Sequence, residues 1–381
     1  MNAMVHRSIF VFGSLLPTLC FAAGCSGAPS GDATASTEEA LSEPSSLPSP
    51  LSARGTVVTQ TNAADTNALL FYSREANGAL SPTAQVATGG TGLGAGLSAQ
   101  GAIARDGRWL FAVNAGSNDV STFDLASNPP TLVGRAASGG TQPVSVTARG
   151  PLVYVLNAGE AGNVVGFAVD AEGALHAIGT SPLSGSDVTP TDVAFAPDGV
   201  TLVVTEKVTN VIDTYAVGAR GDLRGPVVTA SNGPAPFGFD FGPDGELFVS
   251  EAADSAASAY AILGPTRLAS ISASVLDGQS AACWLAAAPD GRHVFTANAG
   301  NGTLSSYRVS AAGRLTLASG VAASQSPTSH PVDMAFSPSG QTLYSLANAG
   351  TITTYQVDGG SLTQVAALTG LPTSVTGLVA W

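Results

Sequence analysis

In PDGRHVFTANAGNGTLSSYRV, Pro289 to Val309, a Pro-Asp-Gly turn leads into a short apolar strand, a polar residue with small neighbours, and a second alternating strand. Proline presets φ, the Asp side chain bonds its own backbone, and glycine accepts the positive φ that such a turn requires. Val294 to Asn298 and Thr303 to Val309 carry β-branched and aromatic residues broken every few positions by turn formers, which is strand patterning. Weaker copies recur along the chain. Aligned on the polar residue that follows the first strand, they place Asn62, Asn114, Asn157, Glu206, Glu251, Asn298 and Asn348 at spacings of 52, 43, 49, 45, 47 and 50 residues. A period of roughly 40–50 residues belongs to four-stranded propeller blades and excludes the shorter helical and leucine-rich repeats. The expected fold is all-β, a seven-bladed β-propeller.

Six repeats carry a strand upstream of their turn: Gly101 to Arg105, Pro143 to Ala148, Thr191 to Ala196, Phe237 to Gly242, Cys283 to Ala288 and Val332 to Ser337. The first repeat, near Gly55, has none, and Ser374 to Trp381 is a spare strand at the other end. Closure of the ring by this C-terminal strand, as the innermost strand of blade one, would pair edges that otherwise invite aggregation.

The N-terminus reads as a targeting segment. His6 and Arg7 precede an apolar core, Ile9 to Ala23, that is short for a membrane span. It ends at Ala22-Ala23-Gly24-Cys25, which resembles a bacterial lipoprotein signal with Cys25 as the lipidated residue and Ser26 favouring the outer membrane. Residues 1–25 are thus expected to be a signal and 26–54, rich in Ser, Pro, Ala and Thr, a disordered tether. Residues 55–381 form the propeller. The expected location is exported, either lipid-anchored or periplasmic. With 14 basic and 27 acidic residues the net charge is −13, and Lys207 is the only lysine, so nucleic-acid binding is excluded. Cys283 is the only thiol of the propeller, which leaves no disulfide framework and no Cys/His spacing for a metal. No cofactor motif is present: Gly89 to Gly96 lacks the Lys and the following helix of a phosphate loop. A self-closed ring makes a monomer the default.

In a propeller the innermost strands line a central channel. Alignment of the upstream strands puts Gln100, Ser145, Asp192, Gly238, Trp284, Asp333 and Ser374 at one equivalent position. Asp192 and Asp333, three blades apart, nearly face one another, and His330 lies just ahead of Asp333. One reading makes His330 a general base with Asp192 and Asp333 as orienting or water-positioning groups, while Gln100, Ser145, Trp284 and Ser374 line a binding site. The other has both Asp side chains bonding backbone N–H groups. The recurrent Asn reads as a turn residue tolerant of left-handed geometry. Glu206 and Glu251 read as carboxylates on a solvated edge, and His176 and His293 as surface residues.

The repeats FAPDGVTLVVTEKVTNVIDTYAV, AAPDGRHVFTANAGNGTLSSYRV and FSPSGQTLYSLANAGTITTYQV resemble the lactonase-type, 6-phosphogluconolactonase-like or YVTN-repeat seven-bladed propellers. The resemblance spans 55–381. It implies a His-containing segment before a strand and an Asp-Leu-Gly after it; His330-Pro331 matches the first, and Asn348-Ala349-Gly350 stands in place of the second. The reading preferred at this point is a membrane-tethered scaffold that binds a small molecule or protein at the channel mouth. The alternative is a lactone hydrolase acting there through His330 and Asp333.

Overall fold

The structure is a computed structural model that describes residues 55–381; the expected signal, Cys25 and the tether lie outside the described residues. Among these residues there are 28 strands, in seven four-stranded antiparallel sheets, and no helix. Blades two to seven begin with inner strands Ile103–Asp106, Pro143–Arg149, Pro190–Phe195, Pro236–Phe241, Ala282–Ala287 and Pro331–Phe336, each within two residues of its expected start. Blade one is completed by the last strand, Thr376–Ala380, which pairs antiparallel with Thr56–Gln60. Thr56 N–H donates to Trp381 O at 2.7 Å and Trp381 N–H to Thr56 O at 3.0 Å, so the two ends of the domain close a single ring.

A ring of aromatic residues fills the blades. Tyr72, Phe123, Phe167, Tyr215, Tyr260, Tyr307 and Tyr355 each lie opposite a Val or Leu of the preceding strand: Val57, Leu110, Val153, Leu202, Leu247, Val294 and Leu343. All seven are buried. This aromatic–aliphatic pairing is the unit by which sheets gain side-chain stability. Because one pair occurs per blade, it also sets the spacing of the blades around the axis.

Strand register corrects the sequence alignment at four positions. Pro143, Pro190, Pro236, Ala282 and Pro331 each pair with the last residue of the next strand, namely Asn157, Glu206, Glu251, Asn298 and Ala347, and a bulge follows. In blade seven the equivalent residue is therefore Ala347, and Asn348 lies one position beyond it. In blade one Gln60 pairs with Thr376 and Thr59 with Leu378, as Asn157 pairs with Pro143 and Leu156 with Ser145. Gln60, not Asn62, thus holds the repeat position, and Leu378, not Ser374, is level with Ser145. In blade two Ile103 pairs with Ala112 as Val146 pairs with Val155, which sets Ala102, not Gln100, level with Ser145. Alternating patterns cannot reveal a one- or two-residue shift of this kind when a bulge inserts an extra residue.

The repeated Asn is a buried junction and not a left-handed turn residue. Asn114 Oδ1 accepts from Asn67 Nδ2 at 2.9 Å and Thr88 Oγ1 at 2.6 Å, both of blade one, while its Nδ2 donates to Asp119 and Ser121 of blade two. Glu206 and Glu251 occupy the same junction and are fully buried, not solvated. Glu206 accepts from Ser184 N at 2.9 Å and Thr209 Oγ1 at 2.7 Å; Glu251 accepts from Gly233 N at 2.7 Å and Ser258 Oγ at 2.6 Å. Burial and the neighbouring Glu206 push Asp213 upward.

Two outcomes test this account. Removal of residues 374–381 should abolish the folded ring in one cooperative loss of circular dichroism and exchange protection, since blade one loses its inner strand. Phe123→Ala should lower unfolding free energy by about 3–5 kcal/mol in urea titration, the range for truncating a buried aromatic.

Candidate functional site

Two cavities adjoin the channel, one on the ring axis and one at its mouth beside blades six, seven and one. The axial cavity, about 210 Å³, is lined by inner-strand residues including Gln100, Asp192, Asp240, Asp333 and Met334. The mouth cavity, about 360 Å³, is lined by Leu97, Ser98, Trp284, His330, Asn348 and Thr376 among others. Ligand cavities usually begin near 300 Å³, so the mouth is the one large enough for a small organic molecule. A roomier groove of about 580 Å³ lies between the turns of blades five and six, around Pro243 and Asp290 to His293, and shares no residue with either.

The axial carboxyls form a chain of inter-blade bonds. Asp192 Oδ2 accepts from Phe239 N of blade five at 3.2 Å and its Oδ1 from Ser145 Oγ of blade three at 3.2 Å. Asp240 Oδ2 accepts from Ala287 N of blade six at 2.9 Å. Asp333 Oδ1 accepts from Met334 N at 2.8 Å, and the same carboxyl takes Leu378 N–H of blade one. Desolvation pushes all three acids up: Asp192 to about 8, Asp240 to about 6, and Asp333 well above the usual carboxylate range, with Asp192 adding to the last. Asp192 and Asp333 therefore share the channel, as their alignment implied. Asp240 escaped the sequence reading because it lies two residues beyond the aligned Gly238; its only signal was a lone acid between two Phe residues of an inner strand.

Gln100 crosses the channel. Its Nε2 donates to Phe239 O at 3.0 Å and Leu285 O at 3.1 Å, and Leu285 N donates to its Oε1 at 3.1 Å. This is possible because Gly238 has no side chain: a Cβ there would lie 2.1 Å from Gln100 Oε1. Trp284 Nε1 donates to Ala99 O at 3.1 Å in the same segment, so the loop before blade two floors the mouth and roofs the axial cavity. Ser374 belongs to neither cavity; its Oγ donates to Thr61 O at 2.6 Å. Cys283 is no nucleophile, since burial pushes its thiol to about 12.

His330 sits at the mouth and away from the acids. Its Nδ1 lies 2.7 Å from Ala299 O, and a carbonyl only accepts, so Nδ1 is the donor of this bond and Nε2 is left outside it. The structure thus separates His330 from Asp192 and Asp333 into different cavities. Its left-handed backbone, φ 45°, is a property of the scaffold: Gln142, Thr189, Ala235 and Ala281 hold the same place in blades three to six with φ of 53–57°. A second repeated place follows each junction residue. Ala158, Lys207, Ala252, Ala299 and Asn348 donate their N–H to Gln142, Thr189, Ala235, Ala281 and His330 respectively. In blades five and six both places are Ala. In blade seven they are His330 and Asn348, adjacent through the bond from Asn348 N to His330 O at 3.1 Å, and both side chains line the mouth. His176 and His293 instead pair with Asp170 and Asp290, at 2.7 and 2.8 Å, away from the axis.

A closed ring of seven four-stranded blades is a seven-bladed β-propeller. The chain matches the model of the family described as lactonase, 7-bladed beta-propeller, over residues 65–189 and 263–377, and belongs to that family. It is similar to the solved structure of a Lactobacillus plantarum protein (18% identity, TM-score 0.73, covering 86% of this chain and 99% of that one). It is also similar to a putative 6-phosphogluconolactonase from Bacteroides fragilis (18%, 0.69, 88% and 99%) and to a periplasmic gluconolactonase from Pseudomonas aeruginosa (18%, 0.70, 85% and 98%). At such identity these likenesses are of fold. No curated protein matches the sequence.

The buried acids give a signed pH dependence. A carboxyl whose folded value is raised contributes stability that is fully present below its unfolded value near ~4 and lost as pH rises through the folded value. For Asp192 that window runs upward to about 8. Asp192→Asn, which mimics the protonated acid, should flatten the decline of melting temperature across this window in buffered thermal melts.

Proposed function

We propose that this protein hydrolyses a lactone at the mouth cavity, with His330 as general base and Asn348 as its neighbouring donor. The observation that carries the reading is that His330 and Asn348 stand side by side at the mouth cavity, in places where blades five and six carry Ala, with His330 Nδ1 bound to Ala299 O. A water held against Nε2 would lose its proton to the ring as its oxygen attacks the acyl carbon. The Asn348 amide, half-buried beside it, is suited to donate to the carbonyl oxygen as charge develops there. The ring C–O bond then breaks and the imidazolium returns the proton to the leaving oxygen, giving a hydroxy acid. The axial acids do not take part; they lie in the other cavity, and their oxygens accept from backbone N–H groups of their own and neighbouring blades and from Ser145 Oγ.

Membership in a lactonase family favours this over the tethered binding scaffold expected from the sequence. No Arg or Lys lines the mouth cavity, which disfavours a doubly charged phosphorylated lactone. His330→Ala should lower kcat/KM about 10²–10⁴-fold, the usual weight of one general base, while leaving the thermal melt in place. The assay is ring opening over a panel of unphosphorylated lactones. Absence of turnover by the native chain across that panel would return the protein to the binding reading.

A further inference from the structure

Lys207 occupies, in blade four, the repeat place that Asn348 occupies in blade seven, since each donates its N–H to the left-handed residue of its own blade. The two therefore stand on the same face of the ring, three blades apart. Lys207 is the only lysine of a chain with net charge −13, yet among the described ion pairs it takes part in none. An ammonium in so acidic a protein would ordinarily find a surface carboxylate.

Instead its Nζ lies 5.7 Å from the centroid of the Phe237 ring, half-buried. Phe237 packs edge-on against Trp284 at 4.9 Å between centroids, and Trp284 lines the mouth cavity beside His330. Its charge also reaches Cys283, where it opposes the rise caused by burial. Lys207, Phe237, Trp284 and then His330 with Asn348 thus follow one another through blades four, five, six and seven on one face of the ring; Trp284, His330 and Asn348 line the mouth cavity, and Lys207 stands outside it. The two aromatic residues are themselves fixed: Trp284 by Ala99 O, and the Phe237 backbone by Thr191 Oγ1 at 3.0 Å.

We infer that Lys207 is a binding residue for a single carboxylate at the far end of an elongated lactone whose ring lies at His330. The inference rests on the hydrolase reading above and adds the substrate class. An aromatic face holds the ammonium without neutralising it, so its charge remains free for a ligand anion. Lysine acts as a point charge with no fork of donors, so a single lysine with no arginine in the cavity matches the single charge of one carboxylate. Between the two ends, the part of the Trp284 ring that lines the mouth cavity is the apolar contact for the middle of such a molecule.

The test compares a lactone bearing a terminal carboxylate on an aryl arm with its methyl ester, using the full chain. The native protein should favour the carboxylate by about tenfold, expressed in KM, the scale of one charge-assisted contact. Lys207→Met should erase that preference and leave the ester's kinetics unchanged, and Lys207→Arg should keep most of it. Equal KM values for acid and ester in the native protein, or a preference that survives Lys207→Met, would sink the inference while leaving the hydrolase reading intact. A Lys207-dependent preference for a phosphorylated lactone would also overturn it. A readout free of turnover is the rate of Lys207 acetylation followed by mass spectrometry. The carboxylate compound should slow it and the ester should not. If no lactone is opened, the hydrolase reading falls, and this protection alone still decides for or against the anion site.

Discussion

The fold depends on a pair of hydrogen bonds between Thr56 and Trp381, residues at opposite ends of the domain. They hold the last strand as the inner strand of the first blade, and without it no ring exists. Each inner strand is the edge of its own sheet and packs between the inner strands of the two adjacent blades, so its side chains point into a shared channel or into a neighbour. That constraint is what makes the axial acids possible. A carboxyl placed there meets the N–H groups of the next blade and little water.

The same closure explains the electrostatics. The chain is strongly acidic, yet its most central acids are pushed toward the neutral form by burial. Protonated, Asp192 and Asp333 can share the channel without repulsion, each tied to the blade beside it. An acid that serves as a rivet between blades is ill placed to orient a catalytic histidine, and His330 accordingly takes its partner from a backbone carbonyl. Proximity in sequence between His330 and Asp333 does not translate into contact, because the intervening bulge sends one to the mouth and the other to the axis.

Repetition separates scaffold from function. The left-handed residue before each inner strand and the residue after each junction recur from blade to blade with the same backbone bond, so their geometry needs no functional account. What changes is the side chain. Ala at both places in blades five and six marks the ground state of the repeat, and His330, Asn348 and Lys207 stand out against it. Backbone strain at His330, taken alone, would suggest an active-site device; the four equivalent residues show it to be a feature of every such turn.

Blade number, strand positions and ring closure were legible in the sequence, because turn chemistry and apolar periodicity are local properties that survive without knowledge of neighbours. The ring of seven aromatic residues emerged only from strand register, which matches each to its aliphatic partner. What the sequence could not settle was depth and register. Glu206 and Glu251 look like surface acids by type and are buried by position, since burial depends on loops contributed by the preceding blade. Asn348 and Gln100 lie one and two residues from the places their motifs suggest, a shift that only strand register reveals. Lys207 acquires meaning only through Phe237 and Trp284, residues of the next two blades. Pattern determined the architecture; which side chains meet was decided by the closing of the ring, which brings together segments hundreds of residues apart.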